Sequence, residues 1–541
     1  MILQRNVIDI HNREIYPAEV MIQNHKILSI NRLAETKNNT FLLPGFIDSH
    51  IHIESSMLVP SEFARMAVKH GTVATISDPH EIANVLGLKG VNYMINNANR
   101  VPFKFFFGAP SCVPATSFES AGDRLDSKEI EELLKQNDIW YLSEMMNFPG
   151  VIHGDEEVLK KISLAIESNK PIDGHAPGLT GELAAKYFRA GISTDHECFS
   201  LDEARYKAKL GVKILIREGS AAKNFEALHP LIKEYPELVM FCSDDKHPDD
   251  LLIGHIDLLV KRALQLGYDK YDILRAACLH PIEHYKVPVG SLRVGDPADF
   301  IEIDNLENLA VLATYIDGEC VYNLNKVHIL SQPIEIENQF NLTDTNRIDI
   351  KVPVGGDLIK VIQVRDKQLI TDFFQTNPLT KDGLVISDTQ RDILKIVVLN
   401  RYSSQPASVG FIHGFGIKSG ALASTIAHDS HNIIALGVSD DDILNAINSL
   451  IQCKGGISFS SGEEIKILPL PIAGLMSPNT CEEVAEAYAE ISSSVLQAGC
   501  TLTSPFMSLS FMALLVIPDL KISDKGLFDG SQFKFTPLFT S

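Results

Sequence analysis

The sequence is short of positive charge: Lys and Arg total 48 against 69 Asp and Glu, a formal net charge of −21 over 541 residues. A broad nucleic-acid or anionic-membrane surface needs clustered cations to displace counterions, so this balance argues against both partners and towards a small molecule. Long apolar runs are missing too. No stretch reaches the ~18 apolar residues of a membrane span, and Asp9 and His11 interrupt the apolar start before a signal-peptide core can form. The eight cysteines are scattered, with no C-x-x-C pair and no disulfide-scaffold density. They read as small buried hydrophobes in a reducing cytoplasm.

What is present is ordinary globular composition, 45% hydrophobic and 22% charged, in a chain too long for one core, so two or three domains are expected. Residues 1–43 alternate apolar and polar in short runs such as Val7-Ile-Asp-Ile10 and Ala18-Glu-Val-Met-Ile22, which predicts a small antiparallel sheet. From 44 to 280 the texture becomes short apolar runs followed by longer amphipathic segments. The apolar runs fall at 42–47, 72–76, 103–107, 139–142, 171–172, 192–194, 212–216 and 239–242. Eight strands in about 240 residues suit a closed (β/α)₈ TIM-type barrel. Periodicity alone also allows an open doubly wound sheet, but neither G-x-G-x-x-G nor a P-loop follows an early strand to support one. Residues 281–328 return to β-rich alternation and are expected to complete the amino-terminal sheet as a small β-sandwich domain. Residues 329–541 form a separate α+β domain, with strand-like runs at 395–399 and 465–469 and helical ones at 440–453 and 481–498.

The sharpest local feature is Pro44-Gly-Phe-Ile-Asp-Ser-His50-Ile-His52, where two histidines two apart at a strand end share one face. In a barrel that face is the interior, and the carboxyl ends of barrel strands are where catalytic groups gather. Polar residues recur after other predicted strands: Glu144, His175, His196 and Asp244. Singly, each reads as a structural residue. Together with His50 and His52 they exceed the three protein ligands of one catalytic zinc, which indicates two ions. A carboxylate such as Glu144 can give one oxygen to each ion, and ions ~3.5–4 Å apart can share a hydroxide. The mixed nitrogen and oxygen set admits Mn²⁺, Fe²⁺ or Zn²⁺.

These residues resemble the amidohydrolase superfamily. The strings Asp48-Ser-His-Ile-His-Ile-Glu-Ser-Ser56, Asp78-Pro-His-Glu81, Ser243-Asp-Asp-Lys-His-Pro-Asp249 and Gly410-Phe-Ile-His-Gly-Phe-Gly-Ile-Lys-Ser419 resemble its bacterial adenine deaminases. The resemblance implies a urease-like β domain built from both flanks of the barrel and a binuclear metal centre, manganese first among the candidate ions. It further implies hydrolysis of adenine to hypoxanthine and ammonia in a cytoplasmic homo-oligomer. It places His50, His52 and Asp244 on one metal, His175 and His196 on the other, and Glu144 between them. Many hydrolytic relatives carry a carbamylated lysine on the fourth strand; Ser143-Glu144-Met145 has a glutamate there, which favours the deaminase branch.

The chemistry needs a base for the attacking water and an acid for ring N1. Asp244 is the expected base, with Asp245 as its exchange partner. Glu81 is the expected acid, with His80 as its competitor, although a carboxylate at a helix start is also favoured by the dipole alone. Glu54 is expected to support His52, to cap the turn at Ser55-Ser56 or to face substrate, and Phe148 with Pro149 to wall the purine pocket. Ala427-His-Asp-Ser-His431 has metal-ligand residue types but reads as a loop with satisfied polar side chains. Another deaminase or a cyclic-amide hydrolase of the same superfamily, and a non-catalytic purine-binding barrel, are the rival readings.

Overall fold

Pro44-Gly45 divides the first apolar run in two. In the computed structural model, which describes residues 1–342 and 348–540, Phe41–Pro44 and Phe46–Ile51 are separate strands in different sheets. A proline nitrogen cannot donate to a ladder, and a Cβ on Gly45 would lie 2.3 Å from Val73 Cγ1. The expectation of one strand at 42–47 is corrected accordingly: the chain changes sheets at the point where only glycine fits.

Phe41–Pro44 joins an eight-stranded sheet drawn from both flanks of the central unit. Its spatial order is Lys326–Val327, Glu319–Asn323, Val311–Ile316, Phe300–Ile303, Phe41–Pro44, Ile2–Asp9, Glu14–Gln23 and Lys26–Arg32. Most neighbours are antiparallel, but Phe41–Pro44 runs parallel to Ile2–Asp9, so the sheet is mixed.

The central unit is a curled parallel sheet with flanking helices. Five strands, Phe46–Ile51, Thr72–Ser77, Lys104–Ala109, Ile139–Met145 and Ile172–Gly174, pair in sequence order, and Thr194–Asp195, Lys213–Arg217 and Val239–Cys242 form a second parallel group. Nearly every residue of these strands is buried, as expected where helices cover one face and side chains fill the other. Backbone bonds span both gaps. Ser193 donates to the Ile172 carbonyl at 3.0 Å, while Asp244 N donates to His50 O at 2.9 Å and His52 N to Asp244 O at 3.2 Å. Asp48 reinforces the second of these seams, accepting from Ser243 N at 3.0 Å and facing His255 Nε2 at 2.7 Å.

The carboxyl-terminal domain is built on a nine-stranded mixed sheet with Ile393–Leu399 near its centre, packed by the helix Asp440–Cys453. A second helix, Cys481–Gln497, packs against the central unit, where Tyr488 OH lies 2.7 Å from His247 Nδ1. One hydrophobic cluster runs through both domains, including Phe63 and Ile82 on one side and Met476 and Phe506 on the other. No described helix is long and apolar enough to cross a membrane, and all eight cysteines are free thiols.

Candidate active site

The carboxyl ends of the curled strands bring all six expected ligands together, each no more than 5% exposed. Alternation along Phe46–Ile51 sets His50 inward, and His52, one residue past its end, inward again. The two Nε2 atoms face each other at 3.2 Å. Asp244 Oδ1 lies 3.4 Å from His50 Nε2 and 3.2 Å from His52 Nε2, and Glu144 Oε1 lies 3.2 Å from His52 Nε2. The other oxygen of Glu144 turns to a second set, with Oε2 2.6 Å from His175 Nδ1 and 3.2 Å from His196 Nε2.

These distances suit divalent ions. Ligands 2.0–2.1 Å from a tetrahedral metal sit roughly 3.3 Å apart along each edge, which is the spacing seen among His50, His52 and Asp244 and between His52 and Glu144, while His50 Nε2 is 4.0 Å from Glu144 Oε1. The tautomer agrees as well. His52 Nδ1 donates to the Asp78 carbonyl at 3.1 Å, which leaves the Nε2 lone pair directed at the cluster. His175 Nε2 and His50 Nδ1 are buried without hydrogen-bond partners.

Charge is arranged around the cluster by groups not expected from the sequence. Arg217, at the end of Lys213–Arg217, donates to Asp244 Oδ2 at 2.6 Å and grips Glu197 through both terminal nitrogens. Burial alone would raise the Asp244 carboxyl, but Arg217, His50 and His52 hold it well below the usual range. Burial likewise opposes ionisation of Glu144, and His175, His196 and His52 overcome it. Lys207, fully buried, binds Asp195 Oδ2 at 2.7 Å and the Ala176 carbonyl at 2.7 Å, tying together the segments that carry His175 and His196. A charged residue closing the apolar run Ile214-Leu-Ile-Arg217 was the signal for Arg217, of the same kind that marked the ligands.

A cavity of about 30 Å³ adjoins the cluster, lined by His52, Glu144, His175, His196 and Asp244 and by His80, Glu81, Glu197 and Asp245. Glu81 lies in the first turn of the helix His80–Ala98 and is buried. His80 Nδ1 is 3.0 Å from Asp78 Oδ2, and its Nε2 is 3.5 Å from Glu81 Oε1. Asp245 Oδ1 accepts from Ser55 Oγ at 2.5 Å, and burial, then the neighbouring Asp244 charge, raises its carboxyl.

Two expectations are corrected here. Phe148 is not among the cavity-lining residues: Asn147 caps the helix Phe148–His153, and the chain leaves the site there. Pro149 lines a separate groove. The apolar wall is instead Met146 with Leu369, Phe511 and Leu514, three of them from the carboxyl-terminal domain. Glu54 does not reach the cavity either, and its Oε1 accepts from Ile82 N at 3.1 Å beside Glu81. Burial first, with the Glu81 charge adding to it, pushes the Glu54 carboxyl up to about 7.

His428 and His431 lie in a loop, as expected, but meet a residue of the central unit that the sequence did not show. Both are buried against Glu81: His428 Nδ1 lies 2.5 Å from Oε1, and His431 Nε2 contacts Oε2. His428 and Asp429 also line the cavity. The two histidines, together with His80, hold the Glu81 carboxyl well below its usual range against the opposing effect of burial. Two histidines bracketing Asp-Ser directly after the apolar run Ala421-Leu-Ala-Ser-Thr-Ile-Ala427 were the available sign of buried function.

Comparison with known proteins gives a consistent picture. Residues 41–321 match the Amidohydrolase family and residues 368–534 the Adenine deaminase C-terminal domain. The chain is 52% identical over 535 residues to the adenine deaminase of Salinibacter ruber, covering 98% of each chain. It is 54% identical over 537 residues to that of Sulfurovum sp., covering 99% of each, and 50% identical over 546 residues to that of Methanosarcina mazei, covering 98% of each.

Proposed function

The chain belongs to the adenine deaminase family of the amidohydrolase superfamily, and from that premise we propose that it hydrolyses adenine to hypoxanthine and ammonia at the buried histidine and carboxylate cluster. The observation that carries this reading is the convergence of His50, His52, Glu144, His175, His196 and Asp244 at metal-ligand spacing. On this reading His50, His52 and Asp244 would hold one divalent ion and His175 and His196 a second, with Glu144 shared between the two sets. Manganese is the proposed pair, the nitrogen and oxygen donors also accepting iron or zinc. Bound there, the ions supply water that ionises near neutral pH.

The remaining steps belong to the chain's own residues. Asp244, anchored through Oδ2 by Arg217, is proposed to take the proton of the attacking water at Oδ1 and return it to the departing amine. Glu81, across the cavity and held ionised at rest by His428, His431 and His80, is proposed to take the second proton of that water and deliver it to N1 as C6 becomes tetrahedral. The products are hypoxanthine and ammonia, one water being consumed. The apolar wall of Met146, Leu369, Phe511 and Leu514 supplies the surface on which a purine face rests. A cavity of about 30 Å³ holds little more than one water, so entry of a purine requires that wall to give way.

The architecture proposed with this function is a closed (β/α)₈ barrel over 44–280, a urease-like β domain from 1–43 with 281–328, and the carboxyl-terminal domain from 329. Backbone bonds across both gaps of the curled sheet support closure, and the sheet shared by residues 2–44 and 300–327 supports the flank domain. A cytoplasmic homo-oligomer is part of the same proposal, consistent with eight free thiols.

Ammonia release from manganese-loaded protein tests the reading on adenine, N6-substituted adenines, cytosine, guanine and dihydroorotate. Stoichiometric hypoxanthine and ammonia from adenine is the expected result. Ring opening of dihydroorotate with no ammonia from any aminopurine would overturn it.

A further inference from the structure

Of the buried histidines outside this mechanism, two come from the other domain. His428 and His431 lie between the strands Ala421–Ser424 and Ile433–Gly437 of the carboxyl-terminal domain, yet they meet Glu81 on the helix His80–Ala98 of the central unit. Each takes one carboxylate oxygen. His431 Nδ1 accepts from Ala427 N at 3.4 Å, which sets the proton on Nε2, the atom directed at Glu81.

The loop is built to hold this geometry. His431 N donates to Ala427 O at 2.7 Å, and His428 N donates to Ser510 Oγ at 3.3 Å. Tyr402 OH donates to Ser430 O at 2.7 Å, and Asn432 Nδ2 reaches across the domain boundary to Ser120 O at 2.8 Å. The His428 ring lies nearly flat against Phe511, with centroids 5.1 Å apart and planes 27° apart. Its Nε2 faces Asp245 Oδ1 at 3.9 Å. One imidazole therefore touches the Glu81 carboxylate, the apolar wall and the carboxylate beside Asp244.

We propose that His428 is a positioning residue for the deamination, fixing the Glu81 carboxyl in the orientation that faces the purine ring, so that the carboxyl-terminal domain completes the catalytic centre. The inference rests on the reading of Glu81 as the ring acid. The terminal torsion of a glutamate is broad and soft, so a carboxyl on the first turn of a helix does not keep one orientation unaided. Contacts on both oxygens from a loop that is itself bonded in place remove that freedom, and in a buried site small misplacements of a reacting group lower rates steeply. Burial works against protonation of His428, but Glu81 and then Asp245 push it up to about 9, which keeps the contact charge-assisted at neutral pH.

A double-mutant cycle tests this. Wild type, E81Q, H428F and E81Q/H428F are loaded with manganese and compared for kcat and KM separately, with metal content and thermal unfolding measured on each. The expected result is that H428F lowers kcat by roughly 10–10²-fold with two metals retained and KM little changed. The double variant should be no more than about twofold slower than E81Q, because His428 acts only through Glu81. H428N, whose amide reaches the place of Nδ1, should lose clearly less than H428F, and if H428F fails to fold the same cycle built on H428N reads the coupling. Full additivity, wild-type kcat in H428F, or an H428N as slow as H428F overturns the proposal while leaving the Glu81 reading intact. Wild-type turnover in E81Q removes Glu81 from the reaction and the role of His428 with it.

Discussion

Arg217 donates to Asp244 Oδ2 at 2.6 Å, leaving Oδ1 to face His50 and His52. The guanidinium thus divides the labour of one carboxylate: one oxygen is neutralised and held, the other stays available to the cluster. Arg217 also neutralises Glu197. Replacing it with methionine leaves two buried carboxylates facing each other uncompensated. Breaking a buried pair of this kind costs roughly 3–5 kcal/mol. R217M should therefore unfold at lower denaturant when free of metal, and added metal should recover more stability in it than in wild type. Equilibrium unfolding and metal titration check both, and a variant matching wild type in each would remove Arg217 from this role.

Glu144 offers one oxygen to each half of the cluster. Glutamine replaces one of those oxygens by an amide nitrogen that carries no lone pair for a cation. E144Q is expected to lose binuclear occupancy, seen as fewer than two metals per chain by elemental analysis. Two metals at unchanged affinity would refute the bridging assignment.

Glu81 touches none of the six ligands at the distances that join them to one another. E81Q should keep its metals and lose roughly 10²–10⁴ in kcat, the scale of acid–base assistance. Unchanged turnover at full metal content would exclude it as the ring acid.

Lys521 is fully buried and donates to the Leu369 carbonyl at 2.7 Å and the Phe511 carbonyl at 3.0 Å, behind two residues of the cavity wall. Burial, only partly offset by Asp519, brings its ammonium down to about 7 from an ordinary 10.5. Between those values the unfolded chain binds a proton that the folded chain does not, so this group's contribution to stability rises with pH across the window. Below about pH 7 both states are charged and the burial penalty is fully present; above about 10.5 both are neutral and it is gone. The stability of wild type relative to K521M should shift in favour of wild type as pH rises from about 7 towards 10, by several kcal/mol at most. A pH-independent difference in urea midpoints would contradict the assignment.

The buried cluster was legible because one rule located it: a polar residue closing an apolar strand stands at the mouth of a parallel sheet covered by helices. His50, Glu144, His175, His196 and Asp244 obey that rule, and so does Arg217. Phe148 showed where the rule stops. It follows Glu144 closely in the chain, but the Asn147 cap turns the backbone away, and Met146 supplies the wall from that strand. The run at 42–47 misled in a similar way, since its apolar character suits both sheets it serves and only the Pro44-Gly45 junction separates them.

The sequence by itself marked a parallel sheet with flanking helices, a distinct carboxyl-terminal α+β domain, and the histidines and carboxylates that gather at the strand ends, because strand alternation and side-chain type are local properties that a chain displays in order. Which atoms meet across the cavity was decided only in the tertiary structure. Glu81 received its partners, His428 and His431, and the cavity its wall of Leu369, Phe511 and Leu514, through the packing of one domain on another. Contacts between segments distant in the chain leave no period or spacing in either segment, since they depend on how two finished surfaces come to fit.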